Sequence, residues 1–336
     1  ASPLPQHGLR LAANQEATNP RAPMRQNPRM NILLDAAQTA ARLPWAPLVD
    51  EIEALLTDPT VQVPPRTVLP MAAGAFLFAM PGCDARTAMT KLITFTPANV
   101  GRATPTIQCD VAVFDVASGA RTLILDGPTV TGRRTAAVSA LGGRWLAPNL
   151  AGPMLIVGAG VQGQAHVEVF AAALGVKQFR IASRRRASAE ALAAHARRLG
   201  LRAEVVDDAD AALADCPLVA TCTPASAVVL RGQPRDDAFI AAVGAFTPQM
   251  VELAPELCRA IAAQGRIVVD SRDAGHEAGD LLQAGLDVDA MPALADIVAG
   301  QPKARDARGP VLFKSCGLGS GGRAAGGEIA ARGLRA

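Results

Sequence analysis

Between residues 152 and 304, short apolar runs alternate with longer stretches in which apolar residues recur every third or fourth position. The runs are MLIVGAG, QFRIAS, AEVVD, PLVATCT, AFIAAVG and GRIVVDS. This rhythm predicts an α/β unit, a Rossmann-type doubly wound parallel sheet whose strands are joined by helices. Residues 60 to 127 follow a different pattern. VLPMAAGAFLFAM is apolar and broken by glycine, and DVAVFDVASGARTLILDG reads as a hairpin turning at Ser118-Gly119, so a small antiparallel or mixed β domain is expected. Ahead of it, Leu48, Ile52, Leu55 and Leu56 fall at helical spacing. Behind it, TVTGRRTAAVSALGGRWLA predicts a helix with Thr129 or Thr131 near its N-cap, ending at Gly142-Gly143.

The ends are less regular. Residues 1–29 hold five prolines and no periodic pattern, which reads as a disordered tail, neither signal peptide nor folded element. The stretch PVLFKSCGLGSGGRAAGGEIAARGLRA begins like an ordered segment and dissolves into Gly, Ala and Arg. Composition narrows the field. The 336 residues are half hydrophobic and about a fifth charged, enough to bury a core and better suited to two domains than one. A net charge of +3 with scattered Lys and Arg lacks the footprint of a nucleic-acid binder. No apolar run approaches the ~18 to 20 residues that span a bilayer, so neither nucleic acid nor membrane is an expected partner. Six cysteines stand singly, away from any histidine at metal-ligand spacing. They predict free thiols, no metal site and a reducing, cytoplasmic setting.

The most informative motif is GAGVQG. Gly158, Gly160 and Gly163 follow the strand-like MLIV directly and open a helical run, after which FRIAS supplies the second strand of a βαβ unit. The glycines allow a tight turn, a close approach of backbone N–H groups to a pyrophosphate, and close helix-strand packing. Val161 and Gln162 belong to the same loop. About 20 residues beyond the last glycine an NAD site wants an acid for the ribose hydroxyls. Ser183, Arg184 and Arg185 stand there instead. A carboxylate would repel a 2′-phosphate, whereas a hydroxyl and guanidinium groups donate to it, so NADP(H) is preferred and NAD(H) remains possible. Arg186 is expected to be solvated, and an exposed arginine turn without cofactor contact is the bland alternative.

Basic residues in apolar surroundings suggest the other half of a site. Arg66 lies in VPPRTVLP, Lys91 begins KLITFTPANVG, and Arg134 is placed in the first turn of the helix TGRRTAAVSA. A cation near a helix N-terminus opposes the macrodipole, and a bound carboxylate would relieve that conflict. Each residue taken singly also fits an ordinary surface charge.

The segments PPR, KLITFTPANVG, TVTGRRTAAVSALGGRWLA, LIVGAGVQGQAH, AAVGAFTPQMVEL and VVDSRDAGHEAGDLL together resemble the ornithine cyclodeaminase and mu-crystallin family over roughly residues 30 to 318. The resemblance implies an N-terminal α+β substrate and dimerisation domain, residues 30–140 with 305–336 returning to it, and a dinucleotide domain at 141–304. It implies a homodimer. It makes Arg66, Lys91 and Arg134 the grip on an amino- or imino-acid carboxylate, with Thr106 in the same pocket. Ser315 would approach the nicotinamide end, and Thr223 would flank the dinucleotide.

One departure selects among the family's activities. Where the ornithine-cyclising enzymes carry an aspartate, this chain has Phe246, or Ala245 if the register slips by one. Cyclodeamination needs proton transfer at nitrogen and a positioned second amine, so losing that carboxylate argues against it. The expected function is NADPH-dependent reduction of a cyclic ketimine acid, Δ1-pyrroline-2-carboxylate or Δ1-piperideine-2-carboxylate, to proline or pipecolate. Lys91 is the candidate for the imine proton. The alternatives are alanine dehydrogenase-like or ornithine cyclodeaminase chemistry, and a binding protein for NADPH and a small acid with little turnover.

Overall fold

The computed structural model describes residues 32–64, 66–224, 227–300 and 308–316, so the proline-rich 1–29 segment and the Gly-rich 317–336 segment lie outside the described residues. Two sheets organise the rest. Strands β1 (Ile32–Leu33), β2 (Thr67–Pro70), β3 (Phe76–Cys83), β4 (Thr87–Phe95), β5 (Ile107–Asp115) and β6 (Arg121–Asp126) form a six-stranded sheet in the order β1-β6-β5-β4-β3-β2. All its pairings are antiparallel except β1 with β6. The hairpin turn is where the sequence puts it: the Asp115 carboxylate accepts from the Ser118 N–H and hydroxyl, and Gly119 takes the positive φ of 66° that closes it.

Two short helices, α1 (Ala36–Ala41) and α2 (Trp45–Leu56), precede this sheet, and α2 buries Leu48, Val49, Ile52 and Leu55 along one stripe. The 20-residue α3 (Gly127–Leu146) then runs from the end of β6 across to the second sheet, contacting β5 and β6 of the first and the buried strands of the second. It departs from expectation at both ends. Its N-cap is Asp126, whose carboxylate accepts from the Thr129 N–H at 2.8 Å, with Pro128 in the first turn. Thr129 and Thr131 therefore lie inside the helix. Gly142 and Gly143 do not end it, because they are packing positions. A Cβ at Gly142 would stand 3.0 Å from the Phe313 ring, and one at Gly143 3.3 Å from Phe170.

The second sheet holds β7 (Met154–Val157), β8 (Gln178–Ala182), β9 (Arg202–Val205), β10 (Leu218–Thr221), β11 (Phe239–Ala242), β12 (Arg266–Val269) and β13 (Val311–Lys314). All are parallel, in the order β12-β13-β11-β10-β7-β8-β9. Helices α4 (Val161–Leu174), α5 (Arg186–Arg198), α6 (Ala209–Leu213), α7 (Pro255–Gln264), α8 (Ala274–Glu277), α9 (Gly279–Gln283) and α10 (Leu294–Gly300) connect and flank the strands. Every residue of β7, β10, β11 and β13 is buried, which is why these strands read as unbroken apolar runs. The six runs seen in the sequence are β7 to β12. The seventh strand corrects the domain expectation: residues 311–314, assigned to the first domain, insert between β11 and β12 instead. With both faces and both edges covered, VLFK is buried throughout. Strand order reverses between β7 and β10, and the carboxyl ends at such a reversal are where open α/β sheets bind ligands.

Candidate active site

The turn after β7 is built for a pyrophosphate. Gly158 adopts φ 112°, and a Cβ there would press on the Cys222 carbonyl at 2.7 Å. A Cβ at Gly163 would collide with the Gly158 carbonyl, so only glycine lets α4 come this close to β7. Gly160 is the N-cap of α4; it supplies no side-chain cap, and a Cβ at it would meet nothing within 4 Å. The first-turn N–H groups of a 14-residue helix, those of Val161, Gln162 and Gly163 among them, thus face a cradle open to an anion. These residues fit a dinucleotide.

At the other end of this βαβ unit, Ser183 is half-buried and Arg184 and Arg185 are exposed at the start of α5. Arg186 is engaged elsewhere, with Glu190 at 3.0 Å and Asp207 at 2.6 Å. Neither Arg184 nor Arg185 pairs with a carboxylate among the described residues, which leaves two guanidinium groups at the tip of β8.

The candidate substrate cations gather on the α3-facing side of the first sheet. Lys91 on β4 and Arg134 on α3 are both buried. The Lys91 ammonium donates to the Thr131 hydroxyl at 2.7 Å, and that hydroxyl donates in turn to the Gly127 carbonyl at 2.8 Å. Cys109 on β5 feels the charge of both cations. Burial pushes its thiol up to about 11, while Lys91 and Arg134 pull it down and Asp110 and Asp126 reinforce the rise. Arg134 lies two helical turns beyond the N-cap, so the macrodipole conflict inferred from the sequence does not arise. Its burial beside a second cation replaces that argument.

Arg66 stands over the Phe78 ring at 5.8 Å, and Phe78 pairs with Ile93, two residues along β4 from Lys91 on the same face. Thr106 is elsewhere. It pairs through its carbonyl with the Thr96 N–H just past the end of the β4–β5 ladder, roughly 17 Å along the strand from Lys91.

Two cofactor candidates turn inward. Ser315, at the end of β13, is buried and donates to the Asp270 carboxylate at 2.9 Å. The Thr223 hydroxyl donates to Glu252 at 2.8 Å. Of the two positions expected to match the cyclodeaminase acid, Phe246 is a 46 % exposed aromatic on the loop after β11, and Ala245 is buried. Glu252, Asp280 and Lys314 form a wholly buried charged group that was missed in the sequence. Their sole signal was a charge inside the apolar strings MVEL, GDLL and VLFKS.

His166 on α4 is also fully buried. The Gln162 carbonyl, 2.8 Å from Nδ1, can only accept, so Nδ1 carries the hydrogen and the Ser139 hydroxyl donates to Nε2 at 2.9 Å. Burial lowers its pKa to about 4, partly offset by the Gln162 bond, and the ring is neutral.

A glycine-turn dinucleotide cradle on a doubly wound sheet, with a buried lysine on the other sheet and a buried arginine on the helix between them, defines a nicotinamide-dependent oxidoreductase. The model of the ornithine cyclodeaminase/mu-crystallin family matches residues 31–321, and the chain belongs to that family. It is 37 % identical over 290 residues to Delta(1)-pyrroline-2-carboxylate reductase 1 of Burkholderia multivorans, covering 85 % of this chain and 90 % of that protein. It is 36 % identical over 289 residues to a Delta(1)-pyrroline-2-carboxylate/Delta(1)-piperideine-2-carboxylate reductase of Azospirillum brasilense, covering 85 % and 90 %. Among solved structures, Thermococcus litoralis Delta(1)-pyrroline-2-carboxylate reductase in complex with NADH and L-proline shares the fold, with a TM-score of 0.78 at 22 % identity over 90 % of each of the two chains' lengths or more.

Proposed function

We propose that this chain reduces a cyclic ketimine acid, Δ1-pyrroline-2-carboxylate or Δ1-piperideine-2-carboxylate, to the corresponding L-imino acid, with NADPH preferred. The carrying observation is the meeting of two half-sites along α3. Thr131, which receives Lys91, and Arg134 flank Gly132, and a Cβ on Gly132 would stand 3.7 Å from Val161 at the mouth of the dinucleotide cradle. Cations for a carboxylate and a cradle for a nicotinamide cofactor are thus within one helical turn of each other. When bound, the cofactor supplies a hydride.

The protein's own residues do the rest. Arg134 and Arg66 hold the carboxylate, which fixes the ring and lends charge-assisted specificity. Lys91 keeps a proton at the imine nitrogen, so that the carbon being reduced is electron-poor. The apolar side chains Phe78 and Ile93, next along the same face, give the ring a wall that excludes water. Phe246 in place of an acid suits a substrate without a second amine.

Arg184 and Arg185, uncommitted at the tip of β8, support a 2′-phosphate and hence NADPH. The Thermococcus neighbour, solved with NADH, shows that the fold also accommodates the other cofactor.

A second copy of the chain fits the open face of the first sheet. Leu33, Leu69 and Leu92 point away from α3 and are 69 %, 55 % and 43 % exposed, a set of apolar side chains that an isolated sheet would leave in water. A cytoplasmic setting suits the six free cysteines. No described helix is long and apolar enough to cross a membrane.

The test follows NADPH and NADH oxidation in parallel with both imines. Turnover that prefers NADPH and needs no ammonia supports the reading. Turnover of pyruvate that requires ammonia would replace it with an alanine dehydrogenase, and tight NADPH binding without turnover would replace it with a binding protein.

A further inference from the structure

Glu252 lies on the segment between β11 and α7 and has no contact with water. Its carboxylate nonetheless accepts four hydrogen bonds. One oxygen takes the Thr223 N–H at 2.7 Å and the Thr223 hydroxyl at 2.8 Å. The other takes the Thr221 hydroxyl at 2.9 Å and the Gly244 N–H at 2.6 Å. These donors come from the carboxyl ends of β10 and β11, two neighbouring strands at the ligand-binding edge of the sheet.

The same group reaches the glycine turn. With its hydroxyl on Glu252, Thr223 presents its methyl toward Gly158, where a Cβ would lie 3.0 Å from that methyl, and the Cys222 carbonyl closes on the same glycine. Gly244 completes the junction, because a Cβ there would run into the Thr223 carbonyl and the Glu252 carboxylate. The starts of three loops, after β7, β10 and β11, therefore converge on one buried anion.

That anion is itself held. The backbone N–H groups of Glu252 and Leu253 donate to Asp280 at 2.6 and 2.9 Å, and the Lys314 ammonium meets Asp280 at 2.8 Å. Burial pushes the Glu252 carboxyl above its ordinary range, and Lys314 and the Thr223 bonds pull it back. A buried, fully bonded charge is costly to assemble and severe to break, so it specifies one arrangement of the groups around it.

We propose that Glu252 is a positioning residue for the dinucleotide: by fastening Thr221, Thr223 and Gly244 it sets the shape of the Gly158 turn on which the cofactor rests. This inference rests on the dinucleotide reading of that turn and not on the identity of the imine.

The experiment measures NADPH affinity by fluorescence, with thermal unfolding on the same samples and the imine KM at saturating NADPH. Glu252→Gln keeps the shape but presents an NH2 to one pair of donors. It is expected to weaken NADPH binding about tenfold at a temperature well below unfolding, with the imine KM nearly unchanged. Ile261→Ala, which opens a cavity at the end of α7 that leads into the amino end of β12, on the side of the sheet opposite the turn, is the control: a lower Tm with NADPH affinity unchanged. A merely structural carboxylate would lower Tm in both variants and leave NADPH affinity alone in both, which overturns the proposal. If Glu252→Gln does not fold, Thr223→Val keeps the methyl against Gly158 and loses only the hydroxyl bond. Weakened NADPH binding there sustains the proposal, and unaltered binding ends it. Wild-type protein that binds NADPH without reducing either imine would sink the ketimine reading and leave this result intact.

Discussion

Lys91 and Arg134 owe their chemistry to burial. A lysine or arginine on a surface is an ordinary charge, whereas the burial of Lys91 on β4 and Arg134 on α3 is what supports the proposed carboxylate grip. Lys91→Met is accordingly expected to lower turnover about a hundredfold, and Arg134→Met to act mainly through the KM for the imine acid, measured by steady-state NADPH oxidation. Full turnover in Lys91→Met would remove its proton role. Arg184 and Arg185 offer an independent residue-scale prediction. The double alanine variant should raise the KM for NADPH about tenfold or more while leaving that for NADH nearly constant, and equal losses with both cofactors would make the pair a solvated turn. Sequence was sufficient to nominate Lys91, Arg66, Arg134 and the two arginines, because unusual charges in apolar or motif context stand out in one dimension. It could not show that the Ser315 hydroxyl is taken by Asp270, or that Thr106 lies beyond the end of its ladder. Those are distances between segments remote along the chain.

Helix α4 shows how an element inherits constraints from its neighbours. Gly163 must lack a Cβ because the Gly158 carbonyl occupies that space. Gly163→Ala is expected to force α4 off β7, costing on the order of 1 to 3 kcal/mol of stability and more than tenfold in NADPH affinity, measured by denaturant unfolding and fluorescence. Unchanged affinity would show that the turn tolerates displacement. Farther along α4, His166 makes stability depend on pH. Its folded pKa is about 4 against an ordinary 6.5, so between those values the unfolded chain binds the extra proton. Its contribution is fully present above pH 6.5 and is lost as pH falls toward 4, a difference on the order of 3 kcal/mol. Urea midpoints of the wild type and of His166→Asn between pH 7.5 and 5 test this: the variant should show a flatter decline, and parallel curves would refute the assignment. The strands β7, β10 and β11 were legible as unbroken apolar runs because parallel strands covered on both faces must be apolar throughout. The ends of α3 were not, because a glycine pair that would stop an isolated helix serves here to admit Phe313 and Phe170.

At the scale of the molecule, the open face of the first sheet and the two-sheet site are the consequential features. Leu92→Glu, on the face away from Lys91, is expected to convert a dimer to a monomer in analytical ultracentrifugation, since a charge would have to be buried without a partner. A wild-type protein that sediments as a monomer would remove the assembly altogether. By itself, the sequence determined the alternation of strands and helices, the dinucleotide turn, the arginines in place of an acid and the family, because each is written in periodicity or in a local motif. Only the tertiary structure decided that β13 inserts into the parallel sheet, that Lys91 and Arg134 are both buried, and that Glu252 fastens the loops after β10 and β11 beside the glycine turn. Those features depend on which residues distant in sequence become neighbours and lose their water, and neither contact nor desolvation is a local property of a chain.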